Sequence, residues 1–147
     1  MARSSGGFTL VELLVVLLIL SFILIAAPMA FDRALPSLQL RSEAQEVARI
    51  LREARSLAIS EYRPSTVTID VTERYVQLND NDPPFTFSEG SSITVEAAAI
   101  EQISSDAARI RFFPNGSSTG GRLTLERRGK AYHVEVDWLF GRVRVIQ

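Results

Sequence analysis

One acidic residue, Glu12, stands near the start of a long apolar run and is the side chain in this sequence most suggestive of chemistry. Between Phe8 and Phe31 the only other polar side chains are Thr9 and Ser21. A carboxylate in hydrocarbon costs about 2.5–3.5 kcal/mol on membrane-insertion scales, so an acid in such a run indicates a function. To be tolerated there, the carboxylate needs a cationic partner.

A cation for Glu12 becomes available if the chain is cut between Gly7 and Phe8, because the cut exposes a new α-amino group. Helix geometry makes a pair between Glu12 and the amine of its own chain awkward. The amine of a neighbouring subunit is a better partner, and such a charge pair would guide the assembly of subunits.

The apolar run is long enough to anchor the chain in a membrane. As a helix, residues 8–31 would extend about 36 Å, against about 30 Å for a bilayer core. Arg3 precedes the run, which favours a cytoplasmic N-terminal end and export of the remainder. A secretory signal peptide is one alternative, but the start holds a single basic residue and the nearest cleavage pattern is Ala26–Ala30. An ordinary signal anchor is another, and it leaves Glu12 unexplained.

The stretch from Gly7 to Glu12, Gly-Phe-Thr-Leu-Val-Glu, followed by the apolar helix, resembles the class III signal of type IV pilins and type II secretion pseudopilins. The resemblance implies that a prepilin peptidase removes residues 1–7 as a leader peptide on the cytoplasmic side and N-methylates Phe8. It also implies that Glu12 pairs with the amine of an adjacent subunit. Pro28 lacks an N–H and is expected to kink the membrane helix.

Residues 32–147 are predicted to form one small periplasmic domain, a helix followed by strands. From about 35 to 62, apolar residues recur at three- and four-residue steps, which indicates an amphipathic helix that closes before Pro64. Its polar side is predicted to be Arg41, Glu43, Glu46, Arg49, Arg52, Glu53 and Arg55. Alternating segments predict strands at 66–71, 75–78, 92–97, 109–113, 122–127, 132–138 and 142–146. Residues 98–108 are poorly patterned and fit either a short helix or a loop.

Two C-terminal segments narrow the resemblance. Residues 111–125, RFFPNGSSTGGRLTL, and residues 134–145, VEVDWLFGRVRV, are similar to the C-terminal region of the GspH/FimT group of minor pseudopilins. Their pattern is a strand ending in Phe-x-Pro-x-Gly, a glycine-rich loop, and a strand closing on Gly-Arg. The resemblance implies a pilin-like α+β fold, in which a long N-terminal helix, half transmembrane and half amphipathic, packs on antiparallel β-sheet.

Enzymatic and metal chemistry find little support in the sequence. With no cysteine and one histidine, the chain offers no thiolate site and little for zinc. The glycine-rich loop at 116–121 lacks the Gly-Lys-Ser/Thr of a phosphate loop. His133 lies in an alternating strand without a nucleophile elbow, which disfavours a triad with Asp137. We therefore expect no catalytic residue, metal or cofactor, and we interpret Trp138 as a core or interface anchor.

The C-terminal third of the chain is basic. Residues 31–106 carry thirteen acidic and seven basic side chains, whereas residues 107–147 carry three and eight. This asymmetry indicates an anionic partner or an electrostatic fit with a neighbouring subunit, although strand faces exposed to water also need charge. If their strands are neighbours, one patch able to hold phosphate or DNA would contain Arg109, Arg111, Arg142 and Arg144.

We interpret the chain as a minor pseudopilin, most similar to the H-type component of a type II secretion system. The resemblance implies a single-pass subunit of the bacterial inner membrane, with its C-terminal domain in the periplasm. The implied partners are the prepilin peptidase and other minor and major pseudopilins, which form a pseudopilus whose tip complex supports export of folded proteins across the outer membrane. One alternative is a FimT-like type IV minor pilin that binds DNA for natural transformation through Gly-Arg-x-Arg at 141–144. Another is a membrane-anchored enzyme or sensor in which the Gly-Phe-Thr-Leu stretch is accidental.

Overall fold

The computed structural model describes residues 9–80, 82–97 and 107–147, and for residues 25–36 it describes the backbone alone. The predicted cleavage site at Gly7 and Phe8 lies outside the described residues, as do residues 98–106. The kink expected at Pro28 stays a prediction. The chain divides into two compact units, Met1–Pro36 and Ser37–Gln147, and each is described by itself.

A single helix, α1, spans Leu10–Ser60 and includes both predicted helical halves. It ends slightly before the predicted boundary, because Tyr62 has a positive φ of 52° that no α-helix continues through. Within the part of the chain that the structure describes, no helical segment is both long and apolar enough to cross a membrane.

The second half of α1 carries the apolar stripe expected from its periodicity. The fully buried members of that stripe are Leu40, Ala44, Val47, Ala48, Leu51, Ala54 and Ala58. Four of the seven are alanines, so the buried face of the helix consists largely of small side chains. The stripe therefore packs the helix on the sheets as predicted.

Within the described residues, eight strands follow the helix. They are β1 (Ser65–Asp70), β2 (Tyr75–Leu78), β3 (Phe85–Thr86), β4 (Ser92–Ala97), β5 (Ala107–Phe112), β6 (Gly121–Arg127), β7 (Lys130–Val136) and β8 (Val143–Ile146). They form two antiparallel sheets, with the strand orders β3-β2-β1-β5 and β4-β6-β7-β8. The predicted α+β class, a long helix on antiparallel sheet, is confirmed.

The core is one cluster to which the helix and both sheets contribute. In the first sheet, Val67 of β1 lies in register with Leu78 and with Ile110, and all three are buried. In the second, Leu123 lies opposite Val134. Since strand side chains alternate between faces, these registers send one face of each sheet into the shared core.

Most strand ends differ from the prediction by one or two residues, and β5 begins at Ala107, within the stretch 98–108 that was predicted to be a helix or loop. Two further details also differ. The short strand β3 was not predicted, because two residues after a Pro-Pro pair are too few to show an alternating pattern. It is held by pairing of Phe85 with Val76 and by edge-on contact of the Phe85 and Phe87 rings, whose centroids are 5.5 Å apart. Strand β7 stops at Val136, so Trp138 lies in the turn that follows and not in a strand.

Candidate assembly site

Glu12 lies in the first turn of α1 with its side chain exposed. The hydroxyl of Thr9 accepts a hydrogen bond of 3.2 Å from the backbone amide of Glu12, which makes Thr9 the N-cap of the helix. A carboxylate in the first turn is also favoured by the helix dipole. The capping role of Thr9 was missed in the sequence, although the Thr-x-x-Glu spacing signals it.

The apolar run beyond Glu12 is uncovered within its own unit. Every large hydrophobic side chain between Leu10 and Leu24 is at least 42% exposed, the least exposed being Val16. A continuous apolar surface of this kind marks a site of membrane or protein contact. The first unit therefore presents an apolar surface that begins with one carboxylate.

The four arginines predicted to form an anion patch lie on two different sheets. Arg109 and Arg111 lie on β5, an edge strand of the first sheet. Arg144 lies on β8, an edge strand of the second, and Arg142 immediately precedes it. A single patch was predicted only if these strands are neighbours in one sheet. They are not neighbours, because β8 folds back on β7 through a short turn while β5 pairs with β1. On β7, Glu135 lies in register with Arg144, which places a carboxylate beside that guanidinium.

The turn between β7 and β8 exposes three large hydrophobic side chains in succession. We call this the apolar turn, and its members are Trp138, Leu139 and Phe140, which are 66%, 50% and 54% exposed. The exposure of Trp138 contradicts a role in the core, and a role at an interface stays a prediction.

Hydrogen bonds fix the backbone of the apolar turn. The carboxylate of Asp137 accepts a bond of 2.7 Å from the Phe140 amide, and the Asp137 carbonyl accepts one of 2.9 Å from the Gly141 amide. The Asp137 amide donates to the Arg142 carbonyl at 3.0 Å and closes the base of the turn. Such a turn is ordered before it meets any partner.

The two C-terminal segments that carried the resemblance meet at two glycines. Gly141 adopts a φ of 59°, and a Cβ built there would collide with the carbonyl oxygen of Gly116. The Nε of Arg55, on α1, is within 3.1 Å of the carbonyl oxygens of both Gly116 and Phe140. The helix, the glycine-rich loop and the apolar turn are thus joined at one point. Periodicity alone indicates for Arg55 only a position on the polar side of the helix.

A buried polar network ties α1 to the segment between β3 and β4. Glu43, predicted to face water, is only 6% exposed and accepts hydrogen bonds from the hydroxyl and the backbone amide of Ser88. Arg74 in turn donates to the carbonyls of Ser88 at 2.6 Å and Ser91 at 3.0 Å. The assignment of Glu43 to the exposed side is wrong, because the segment after β3 folds over that position.

We expect Ser88→Ala to lower the free energy of unfolding by about 2 kcal/mol, because a largely buried carboxylate loses one of its hydrogen-bond donors. Urea denaturation of the full chain in detergent measures this loss. The matched control is Ser92→Ala, at an exposed serine on β4, for which a change within about 0.5 kcal/mol is expected. Equal changes in the two variants would show that the hydroxyl of Ser88 contributes nothing.

A cleft with an acidic rim lies on the flank of α1 opposite to Arg55. We call it the acidic cleft; its apolar lining is Ile50, Leu57, Leu78, Pro83, Pro84 and Phe85, and its charged lining is Glu46, Arg49, Glu53 and Asp82. Arg49 is 2.7 Å from both Glu46 and Glu53. The hydrogen bonds from Arg49 hold the pKa of the Glu46 carboxyl below its ordinary value, so this carboxyl stays ionised.

His133, considered above for a catalytic triad, makes an ordinary contact within the sheet. Nδ1 of His133 lies 3.0 Å from the hydroxyl of Thr124 on the neighbouring strand, as a cross-strand pair. Across the described ranges, no group of three or more acidic or histidine side chains is arranged to hold a metal ion. Three exposed features remain as candidate sites: Glu12, the apolar turn and the acidic cleft.

Comparison with known proteins identifies the family. The family model described as Type II transport protein GspH matches residues 43–139, and that described as Prokaryotic N-terminal methylation motif matches residues 2–28. The Type II secretion system protein H of Xanthomonas campestris pv. campestris is 29% identical to this chain in an alignment 147 positions long. The alignment covers 97% of this chain and 83% of that protein.

Two solved structures share the fold at 17% sequence identity. The minor pseudopilin EpsH from the Type 2 Secretion System of Vibrio cholerae has a TM-score of 0.58, over 74% of this chain and 96% of that one. The type IV minor pilin FimU of Pseudomonas aeruginosa has a TM-score of 0.56, over 76% and 91%. The pilin-like fold is confirmed. With its sequence matched from residue 43 to residue 139, the chain belongs to the type II transport protein GspH family, the H-type minor pseudopilins of type II secretion systems.

Proposed function

We propose that this minor pseudopilin joins the complex at the tip of the pseudopilus and helps to start the fibre that supports export of folded proteins across the outer membrane. Its family is one of structural subunits, and the role proposed here is mechanical, without cofactor or catalysis. The observation that carries the proposal is the single carboxylate, Glu12, in the first turn of a helix whose apolar side chains are uncovered.

The proposed organisation has three parts. Residues 1–7 are a leader removed by a prepilin peptidase, and Phe8 then becomes the N-methylated first residue. Residues 8–31 are the segment that resides in the inner membrane before assembly and among other helices afterwards. Residues 32–147 are the periplasmic domain. The match of the methylation motif to residues 2–28 supports the first part, and the exposed apolar surface supports the second.

In the proposed assembly, Glu12 pairs with the α-amino group of Phe8 on an adjacent subunit. Both charges would be costly in a helical bundle of apolar side chains, and pairing offsets part of that cost. The position of Glu12 in the first turn keeps its carboxylate near the level of the helix start, where an incoming amine would lie. Neighbouring pseudopilins, minor and major, are the partners that this pairing would align.

Co-expression with a prepilin peptidase is expected to remove residues 1–7 and leave Phe8 as the N-terminus, with one added methyl group. Intact-mass spectrometry of the purified chain measures both changes. The control is Gly7→Glu, in which a large charged side chain at the cut should keep the full mass.

Unchanged mass for the unsubstituted chain would overturn the leader assignment and favour a plain membrane anchor. Cleavage at any other bond, including the one after Ala30, would indicate an ordinary secretory signal instead.

A further inference from the structure

The apolar turn has the properties of a docking element. Three large side chains in succession are at least half exposed, and the hydrogen bonds of Asp137 hold their backbone in one conformation. A monomer gains nothing from exposing such a group, and exposed apolar patches of this kind mark interaction sites. Because the backbone is already ordered, docking would cost little further conformational entropy.

Two arginine side chains flank the apolar turn. The guanidinium of Arg142 lies 5.1 Å from the centre of the Phe140 ring, in a cation–π arrangement. Arg52 reaches the same side of the molecule, since its Nη2 is 3.4 Å from the carbonyl of Val143. A surface that receives this turn should therefore be apolar in its centre and should carry carboxylates on its rim.

The acidic cleft of this chain is a surface of that chemistry. Its centre is apolar, and its rim carries the carboxylates of Glu46, Glu53 and Asp82 against the single guanidinium of Arg49. The pilin fold can therefore form, beside its helix, a cleft with the apolar centre and the carboxylate rim that the apolar turn requires.

The two surfaces lie on opposite flanks of the same stretch of α1. At about 100° per residue, Arg52 and Arg55 project to one side of the buried stripe, and Glu46 and Glu53 project to the other. The contacts agree, since Arg55 binds the apolar turn while Glu53 lines the cleft. If two pilin-fold subunits lie side by side with parallel helices, a flank like that of Arg55 on one subunit faces a flank like that of Glu53 on the other.

We propose that the apolar turn, with Arg52 and Arg142 at its edge, docks into an apolar cleft rimmed by carboxylates beside the helix of a neighbouring pseudopilin of another type. The proposed function places this chain among other pseudopilins, so the partner proposed is one of them and not a second copy. The inference rests on the proposed function and adds to it the surface and the chemistry of the partner.

The test places a photo-crosslinking amino acid at Leu139 of the full chain, in cells that carry the complete type II secretion system. We expect an adduct with another pseudopilin, and mass spectrometry should locate the linked peptide beside carboxylates next to its helix. Combining the label with Arg142→Glu should lower the adduct yield about tenfold, because a carboxylate would then face the acidic rim.

The matched control uses Lys130, which is exposed at the turn between β6 and β7. A label at Lys130 should give no adduct with a pseudopilin, and Lys130→Glu should leave the yield from the Leu139 label unchanged. A second label position, Trp138, replaces Leu139 if the first variant does not accumulate.

An adduct with a second copy, an adduct with lipid, or no adduct would each overturn the docking proposal. Equal yields from the Leu139 and Lys130 labels would do the same. If residues 1–7 are still removed and secretion is normal, the proposed function survives that result. If processing or secretion is absent for the unsubstituted chain, the proposed function fails as well.

Discussion

Replacing Glu12 by leucine is expected to reduce secretion of folded cargo at least about hundredfold in cells whose only H subunit is this chain. The α-amino group of an adjacent subunit would then enter an apolar bundle without its counterion. Breaking one half of a buried ion pair costs about 3–5 kcal/mol, and about 3 kcal/mol already corresponds to a hundredfold change in an equilibrium. Cargo activity in the culture medium and co-purification with other pseudopilins measure the loss.

The leucine variant removes the negative charge at residue 12 without disturbing the hydrogen bond that caps the helix. Thr9 accepts its hydrogen bond from the backbone amide of residue 12, which leucine retains, so the N-cap should persist. Glu12→Asp is the matched control, because it keeps a carboxylate and should keep most of the secretion. If Glu12→Leu co-purified with other pseudopilins as well as the unsubstituted chain does, electrostatic alignment of subunits would have to be abandoned.

Local patterns in the sequence predicted most of the elements but not how they combine. The three- and four-residue spacing of Ala44, Val47 and Leu51 predicted the buried face of α1, and alternation predicted most of the strands. The division of those strands between two sheets depends on pairing between distant segments, on which local alternation has no bearing. The single arginine patch failed for that reason, since it assumed that β5 and β8 were neighbours.

Two polar residues of the helix make contacts that local periodicity does not predict, and both cases have the same physical cause. Periodicity places Glu43 and Arg55 away from the apolar stripe, yet segments far along the chain cover both. Ser88 brings donors to the Glu43 carboxylate, and the carbonyl of Gly116 accepts from Arg55. A polar side chain on a helix is predicted to be exposed until the loops above it are known, and those loops carry no periodic signal.

The glycines of the C-terminal motifs were identified only through a resemblance, and the structure explains why glycine is required there. Gly141 follows the apolar turn and lies against the Gly116 carbonyl, and a Cβ built at Gly141 would also lie 3.1 Å from the side chain of Arg55. No side chain fits between these two backbone segments. The requirement for glycine is therefore one of space as well as of conformation.

Gly141→Ala is expected to lower the free energy of unfolding by about 3–5 kcal/mol, because its Cβ would push the Gly116 carbonyl away from Arg55 in addition to straining a positive φ. Urea denaturation of the full chain in detergent measures the change. Gly129→Ala is the matched control, since Gly129 has a φ of 74° but nothing lies within 4 Å of the position that an alanine methyl group would take there. Strain alone acts at that residue, so a loss of about 1–2 kcal/mol is expected. Equal losses in the two variants would mean that the contact with Gly116 adds nothing, and that the helix, the glycine-rich loop and the apolar turn are not joined at this point.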